Sequence, residues 1–213
     1  MRRTVGIWWL ALTAVAIAVL APLPYVGQSL ASLAAGESDM ALNYVDRPAW
    51  VRTFLYIHMT GGGIALLLSP VQLSARIRAR VPRLHRMSGR IVLCGIAVGG
   101  VAGLVLAPFN LAGPVGAAGF GLLAVLWLVF AARGFQAIRR RDVTVHRQWM
   151  LRAFALTYAA VTLRLWLGVL VPLTGDFRTA YGIVPFLAWV PNLLLVEWLL
   201  RRQPGRVRAA PAV

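Results

Sequence analysis

Residues 84–108 read LHRMSGRIVLCGIAVGGVAGLVLAP, a cluster of basic side chains followed by 18 residues without a charge. An α-helix rises 1.5 Å per residue, so a stretch of this length covers most of a hydrocarbon core about 30 Å thick. The stretch therefore predicts a transmembrane helix that begins beside a basic loop.

Five further stretches have the same apolar character, and a spanning helix needs about 20 such residues. The spans are predicted at about residues 5–26, 53–73, 91–108, 115–132, 149–173 and 183–200, with a short basic tail at 201–213. The chain is therefore predicted to be all-α. It forms one integral membrane domain, residues 1–213, built as a bundle of about six transmembrane helices.

The composition favours a bilayer as the main partner. Hydrophobic residues make up 60% of the chain and charged residues only 13%, whereas soluble domains carry about 25% charged residues. The 22 basic residues are all arginine and outnumber the 6 acidic residues. A basic excess can indicate nucleic-acid binding. Because these arginines lie between long apolar runs, the composition favours a membrane protein that binds no nucleic acid.

The distribution of arginine predicts the orientation of the spans. With the N-terminus inside, 18 of the 22 arginines fall in the N-terminal segment, the second–third and fourth–fifth span loops, and the tail. Arginine and lysine concentrate on the cytoplasmic side of membrane proteins. Both termini are therefore predicted to be cytoplasmic, in a multi-pass protein of the cytoplasmic (inner) membrane.

The first apolar stretch has two interpretations. Arg2 and Arg3 precede it and small residues follow near 31–35, as in a secretory signal peptide. The apolar region of a signal peptide usually has about 7–15 residues, and this run is longer. A retained first helix is therefore favoured over a cleaved one.

Two basic loops share one spacing of arginine and histidine, Arg80-x4-His85-Arg86 and Arg141-x4-His146-Arg147. Each loop follows a helix that runs inward and precedes one that runs outward. Spans two–three and four–five are therefore either parallel copies of one hairpin or two arginine-rich loops that look alike.

Several motifs together resemble a known family. They are His58-Met-Thr-Gly-Gly-Gly, Ser69-Pro-Val-Gln72, Leu84-His85-Arg86-x3-Arg90-Ile, His146-Arg147-x-Trp149-Met150-x-Arg152 and Thr162-Leu-Arg164-Leu. This set, spread over about residues 52–197, resembles the bacterial membrane proteins grouped as domain of unknown function 2306. The resemblance implies a multi-span membrane protein and supplies no established activity.

The histidines suggest a cofactor. His85 and His146 both precede outward-running helices, so they should lie at similar depth, whereas His58 should lie just within the outer leaflet. Two facing neutral imidazoles can hold the iron of a b-type haem. The arginines that can pair with its propionates are Arg83, Arg86, Arg90, Arg147 and Arg152. Alternatively, such interfacial basic clusters bind anionic lipid at the inner leaflet or cap a helix.

Arg164 is the one arginine placed deep inside a span. An arginine at the centre of a transmembrane helix costs about 2.5–3.5 kcal/mol on insertion scales. Arg164 either extends to the interface or bonds to backbone carbonyls, or it binds an anion, a quinone oxygen or a cofactor propionate. Arg164 is therefore predicted, with His58, as a cofactor-binding residue.

Small and polar residues repeat on one face of two spans. In span five they are His146, Met150, Ala153, Thr157, Arg164 and Gly168, and in span two they are His58, Gly62, Ala65, Ser69, Gln72 and Arg76. These stripes either line one interior site or pack closely. Gly95-x3-Gly99-x3-Gly103 in span three is typical of close helix packing.

Two polar residues of span six have local interpretations. Glu197 is predicted to pair with Arg201, four residues on. Asn192 follows Pro191, which frees a carbonyl, so it marks a broken helix at a binding site or simply satisfies the kink.

These observations leave two functional hypotheses. The first is a redox membrane protein associated with haem b or a quinone, in which His85 and His146 ligate the iron. The second is a small solute transporter or membrane scaffold with no catalytic role. No catalytic residue is assigned, and a homo-oligomer is left open.

Overall fold

The computed structural model describes residues 2–202, with the side chains of residues 2–5 and 7 left aside. Within this part of the chain the structure is helical and contains no strand, which confirms the all-α prediction. The helices are α1 (Arg2–Leu20), α2 (Leu23–Gly27), α3 (Leu30–Ala35), α4 (Asp39–Val45), α5 (Ala49–Leu73), α6 (Ala75–Arg80), α7 (Pro82–Leu106), α8 (Gly113–Arg139), α9 (Val143–Thr157), α10 (Ala159–Thr174), α11 (Phe177–Leu187) and α12 (Val190–Arg201).

Between residues 2 and 202, six helical segments are long and apolar enough to cross a bilayer, which agrees with the predicted number of spans. They are Trp8–Gly27, Ala49–Leu73, Pro82–Phe109, Gly113–Arg139, Val143–Thr174 and Phe177–Arg201. The cytoplasmic placement of both termini and the retention of the first span stay predictions. The predicted basic tail lies outside the described residues beyond Arg202.

The helices extend past the apolar stretches at the arginine-rich end of the bundle. Pro82 opens α7 at a position that suits proline, because the first helical N–H needs no partner. The Asp142 side chain caps α9 by accepting from the N–H of Val145 at 2.9 Å. Arginine is also a good helix former. We call this end, formed by α6, the starts of α7 and α9 and the last turn of α8, the basic end.

Four helices form a ring around the main core. Helix α5 packs on α7, α7 on α8, α8 on α9, and α9 returns to α5, so α7 and α9 occupy opposite corners. Each helix contributes a buried side chain to the core between them, including Ala65, Ile96, Trp127 and Leu156. Helix α1 packs on α5, α12 on α9, and α11 on both α8 and α10. The first and sixth spans therefore flank the ring.

Helices α5 and α7 approach each other through glycine. A Cβ atom placed on Gly61 would lie 2.8 Å from the Gly95 carbonyl oxygen and 2.8 Å from the Gly99 nitrogen. Backbone atoms cannot move away as a flexible side chain can, so only glycine allows this approach. We call Gly61, Gly95 and Gly99 the glycine seam. The packing role predicted for the span-three glycines is thus confirmed.

A small cap covers the other end of the bundle. Residues 28–48 form it, with α3 and α4 started by Ser29 and Ser38, whose side chains accept from backbone N–H groups. The Asn43 amide donates to the Phe109 carbonyl at 2.7 Å and ties the cap to the end of the third span. Tyr44 packs in a buried cluster with Leu55 and Leu106. We call this the cap end.

The fifth and sixth spans are each broken. Helix α11 ends at Leu187 because Pro191 cannot accommodate the carbonyl four residues before it in a continuous helix. Helix α9 ends at Thr157, and nothing in the local sequence explains that break. The Tyr158 hydroxyl at the break bonds to Thr13 of α1 at 2.6 Å.

Polar side chains bridge the two breaks. The Asn192 amide donates to Thr162 Oγ1 at 3.0 Å and to the Ala155 carbonyl at 3.2 Å. The Thr162 hydroxyl donates in turn to the carbonyl of Ala188, which Asn192 also contacts at 3.2 Å. Of the two interpretations of Asn192, the structure therefore favours satisfaction of the kink.

Removing this bridge should destabilise the crossing of the two spans. Asn192→Leu keeps the side-chain size but leaves buried carbonyls unpaired, and we expect a loss of about 1–3 kcal/mol in free energy of unfolding. Reversible denaturation in mixed micelles measures it. Thr162→Val should cost a similar amount, and the double variant should cost less than the sum because both belong to one network. Strict additivity would contradict the shared network.

Candidate functional site

His85 and His146 occupy equivalent positions at the basic end. Each is the fourth residue of its helix, and each backbone N–H donates to the carbonyl of the residue before the helix, Val81 or Asp142. The two helices lie at opposite corners of the ring, and the imidazoles are close enough for electrostatic interaction. The structure thus brings the two predicted histidines to one end and one depth. Their equivalence agrees with the repeat hypothesis at these helix starts.

The His146 ring is fixed by the neighbouring helix. Its Nδ1 lies 2.8 Å from the carbonyl oxygen of Gly134 on α8. A carbonyl can only accept, so Nδ1 carries the proton and donates. Nε2 of the neutral ring is then free to act as an acceptor or a metal ligand. Metal-ligating histidines commonly donate their other ring N–H to a backbone carbonyl in this way.

The His85 ring lacks such a partner. Its Nδ1 is buried and makes no hydrogen bond with the described residues, which is costly for a polar atom. The backbone of this turn is well held, since Gln72 Nε2 donates to the His85 carbonyl at 3.1 Å and to Ser88 Oγ at 2.6 Å. Gln72 thus fixes the end of α5 to the start of α7. The backbone of His85 is held, whereas its ring Nδ1 has no hydrogen-bond partner among the described residues.

One predicted arginine of this region is already paired. Arg152 makes a bidentate ion pair with Glu197 of α12, with Nε–Oε1 at 2.5 Å and Nη2–Oε2 at 3.0 Å. The predicted partner of Glu197, Arg201, was therefore wrong, because a bidentate contact across helices outcompetes an exposed contact along one helix. Arg152 also lies over the Trp149 ring, so it is not free for a propionate.

The other arginines predicted for propionates remain at the surface. Arg83, Arg86, Arg90 and Arg147 are all exposed. Among the described residues, no group of three or more histidine, cysteine or acidic side chains could hold a metal ion. A metal at the basic end would therefore have the two histidines as its protein ligands, which suits haem iron and not a four-ligand zinc site.

His58 lies apart from the other two histidines. Its Nδ1 contacts the Gly99 carbonyl oxygen at 2.8 Å, across the glycine seam. Gly103 makes room for the ring, since a Cβ there would lie 2.9 Å from Nδ1. His58 is close enough to Arg164 for electrostatic interaction. The four predicted cofactor-binding residues thus divide into two pairs, His85 with His146 and His58 with Arg164.

The Arg164 side chain turns back along its helix toward the basic end. Its Nη1 donates to the carbonyl of Ala160, one turn nearer the basic end, at 2.8 Å. A side chain extending to the near interface would point the other way, so the structure disfavours that interpretation. The bond to Ala160 agrees with the alternative in which Arg164 bonds to backbone carbonyls. The other guanidinium N–H groups make no hydrogen bond with the described residues, although the group has five donors.

Two tyrosines lie in the neighbourhood of Arg164, and the sequence alone did not reveal them. Tyr25 of α2 and Tyr181 of α11 are close enough to the guanidinium for electrostatic interaction. Tyr44 of the cap lies near both tyrosines. Burial raises the pKa of Tyr44 to about 12, so its hydroxyl stays protonated and able to donate at neutral pH. Isolated tyrosines in apolar runs were the only sequence signal for this group.

The polar stripe of span five is shorter than predicted. Met150, Ala153 and Thr157 do face the protein interior, whereas Arg164 and Gly168 are exposed. The prediction assumed 3.6 residues per turn through one continuous helix. The chain instead forms two helices, α9 and α10, and the buried face of α9 does not continue to Arg164.

These features define a class: an all-helical membrane protein with six spans and two separate polar regions, one at each end. Comparison with known proteins agrees with the assignment to membrane proteins. The model of DUF2306, described as a predicted membrane protein family, matches residues 55–200, so the chain belongs to this family. The family suggested by the motifs is therefore confirmed. No curated protein and no solved structure matches the chain.

Proposed function

We propose that this membrane protein is a single-haem redox protein, with haem b held at the basic end between His85 and His146. The observation that carries the proposal is the placement of two histidines at equivalent turns of opposite helices in one ring. Bound haem supplies one-electron transfer.

The residues at the basic end fit such a group. The His146 Nε2 is available because Nδ1 is held by Gly134. His85 has a buried ring nitrogen without a partner, so ordering of this imidazole by a bound group would remove a penalty. Exposed Arg86 and Arg147 each follow a histidine and would pair with propionates.

The proposal includes the orientation and location of the protein. Arginine at the basic end supports a cytoplasmic position for that end, and hence the bacterial cytoplasmic membrane. Helix α6 adds exposed Arg76, Arg78 and Arg80. Each arginine near an anionic leaflet adds about 1 kcal/mol of attraction, so anionic lipid at this leaflet is the proposed partner.

The absorption spectrum tests the haem proposal. Protein produced with haem supplied should show a Soret band, and His85→Ala or His146→Ala should each weaken or remove it, because one axial ligand is lost. His58→Ala is the matched control, since this histidine lies at the other end, and it should keep the band. A colourless wild-type protein, or a band that persists in both basic-end variants, would contradict the proposal.

A second candidate function is solute transport, and the broken fifth and sixth spans favour it. Discontinuous helices near the midplane form the binding sites of many transporters. Here Thr162 and Asn192 already satisfy carbonyls at the breaks, so the structure offers a solute fewer free groups there. Solute uptake into proteoliposomes by haem-free protein would favour this candidate over the first.

A further inference from the structure

We propose that Arg164, Tyr25 and Tyr181, with His58, form a binding site for an amphiphile whose head group carries acceptor oxygens, such as a carboxylate or a quinone. We call these four residues the cap-end cluster. The ligand reaches it from within the bilayer. This proposal stands on different residues from the haem proposal, so either can fail alone.

The first support is an unpaired charge inside a span. The ion pair of Arg152 with Glu197 is the only one within residues 2–202 as described, and the neighbours of Arg164 include no carboxylate. Charged residues inside membranes normally pair with one another or with backbone carbonyls, and unmatched ones mark ligand or ion sites. A single bond to Ala160 leaves most of the guanidinium donors free.

The second support is the surplus of donors around that charge. The Tyr181 side chain is 7% exposed. Its hydroxyl makes no hydrogen bond with the described residues and is not among their fully buried unpaired atoms, so it is accessible to a ligand. The Tyr181 ring is held in place by Phe120 and Phe177, at centroid distances of 5.8 and 5.7 Å. A planar guanidinium with a well-packed phenol in its neighbourhood suits a planar group rich in acceptor oxygens.

The third support is the route of access. Arg164 is exposed on one side and surrounded by protein on the others. The neighbouring exposed side chains of α10 are apolar, namely Leu165, Val169 and Leu173. A head group on Arg164 would therefore place its tail along these residues, among the lipid chains. A water-soluble anion has no such route, which is why the ligand class is an amphiphile.

Two probe ligands distinguish a carboxylate head group from a quinone head group. Laurate offers a carboxylate and decylubiquinone offers quinone carbonyls, and calorimetric titration of detergent-solubilised protein gives a Kd for each. Saturable binding of either probe is expected. Arg164→Leu should weaken it at least tenfold, and Tyr181→Phe, which removes one oxygen, roughly three- to tenfold. Arg178→Leu removes an exposed arginine outside the cluster and should change the Kd less than twofold.

The two titrations together identify the ligand class. Binding of laurate alone identifies a carboxylate site, and binding of decylubiquinone alone identifies a quinone site. Absence of saturable binding of both probes overturns the proposal, as does an equal Kd in wild type, Arg164→Leu and Tyr181→Phe. If the Arg164→Leu protein is not monodisperse, the Kd of Tyr181→Phe alone tests the proposal, because phenylalanine retains the ring packing of Tyr181. The assay needs no haem, so a colourless protein still tests this site.

Discussion

Gly61→Ala is expected to lower the free energy of unfolding by about 1–3 kcal/mol, although alanine is the better helix former. Its Cβ would meet the backbone of Gly95 and Gly99 at 2.8 Å, so α5 and α7 must move apart. Packing along the whole α5–α7 contact is lost with that movement. Denaturation in mixed micelles, followed by helix content, measures the change.

The adjacent residue provides the control. Gly62 has no atom within 4 Å of an added Cβ, so Gly62→Ala should be neutral or stabilise by up to about 1 kcal/mol through helix propensity. Equal effects of the two substitutions would show that propensity, and not the close approach of the helices, decides stability here.

Glu197→Ala is expected to cost about 2–3 kcal/mol, less than a fully buried pair. The side chains of Arg152 and Glu197 are 18% and 32% exposed, so solvent screens part of the interaction. Removing the carboxylate leaves Arg152 partly desolvated without its counter-charge. The free energy of unfolding in micelles again gives the result.

Two further variants test the pairing itself. Arg201→Ala, which removes the arginine four residues along α12, should cost less than about 0.5 kcal/mol because that residue is exposed. The exchange variant Arg152→Glu with Glu197→Arg should recover part of the loss. A large effect of Arg201→Ala with no effect of Arg152→Ala would instead restore the pairing expected along the helix.

The membrane architecture could be predicted because it depends on composition over long windows. The uncharged run from Ile91 to Pro108 identifies a span whatever its neighbours are, and the glycine spacing of Gly95 and Gly99 predicts a contact surface. Neither of these two predictions requires knowledge of which helices contact each other. The kink near Ala188 follows from Pro191 in the sequence. The break at Tyr158 could not be placed, since no proline or glycine marks it within the apolar run.

The candidate sites could be predicted only in part. Polar residues in spans are rare enough that His58, His85, His146 and Arg164 stood out in the sequence. Their division into two pairs depends on the direction and order of the helices. The partner of Glu197 and the tyrosines around Arg164 come from elements distant in the chain, so no local spacing could reveal them.

Gly99 performs two tasks that are mechanically linked. Its missing side chain lets α5 and α7 touch, and its carbonyl holds the His58 imidazole. The His58 Nδ1–Gly99 O distance is 2.8 Å, and a separation larger by about half an ångström would take it beyond the range of about 2.7–3.2 Å for such bonds. A strain that parts these two helices that far, such as a change in bilayer thickness, would therefore also release the His58 ring.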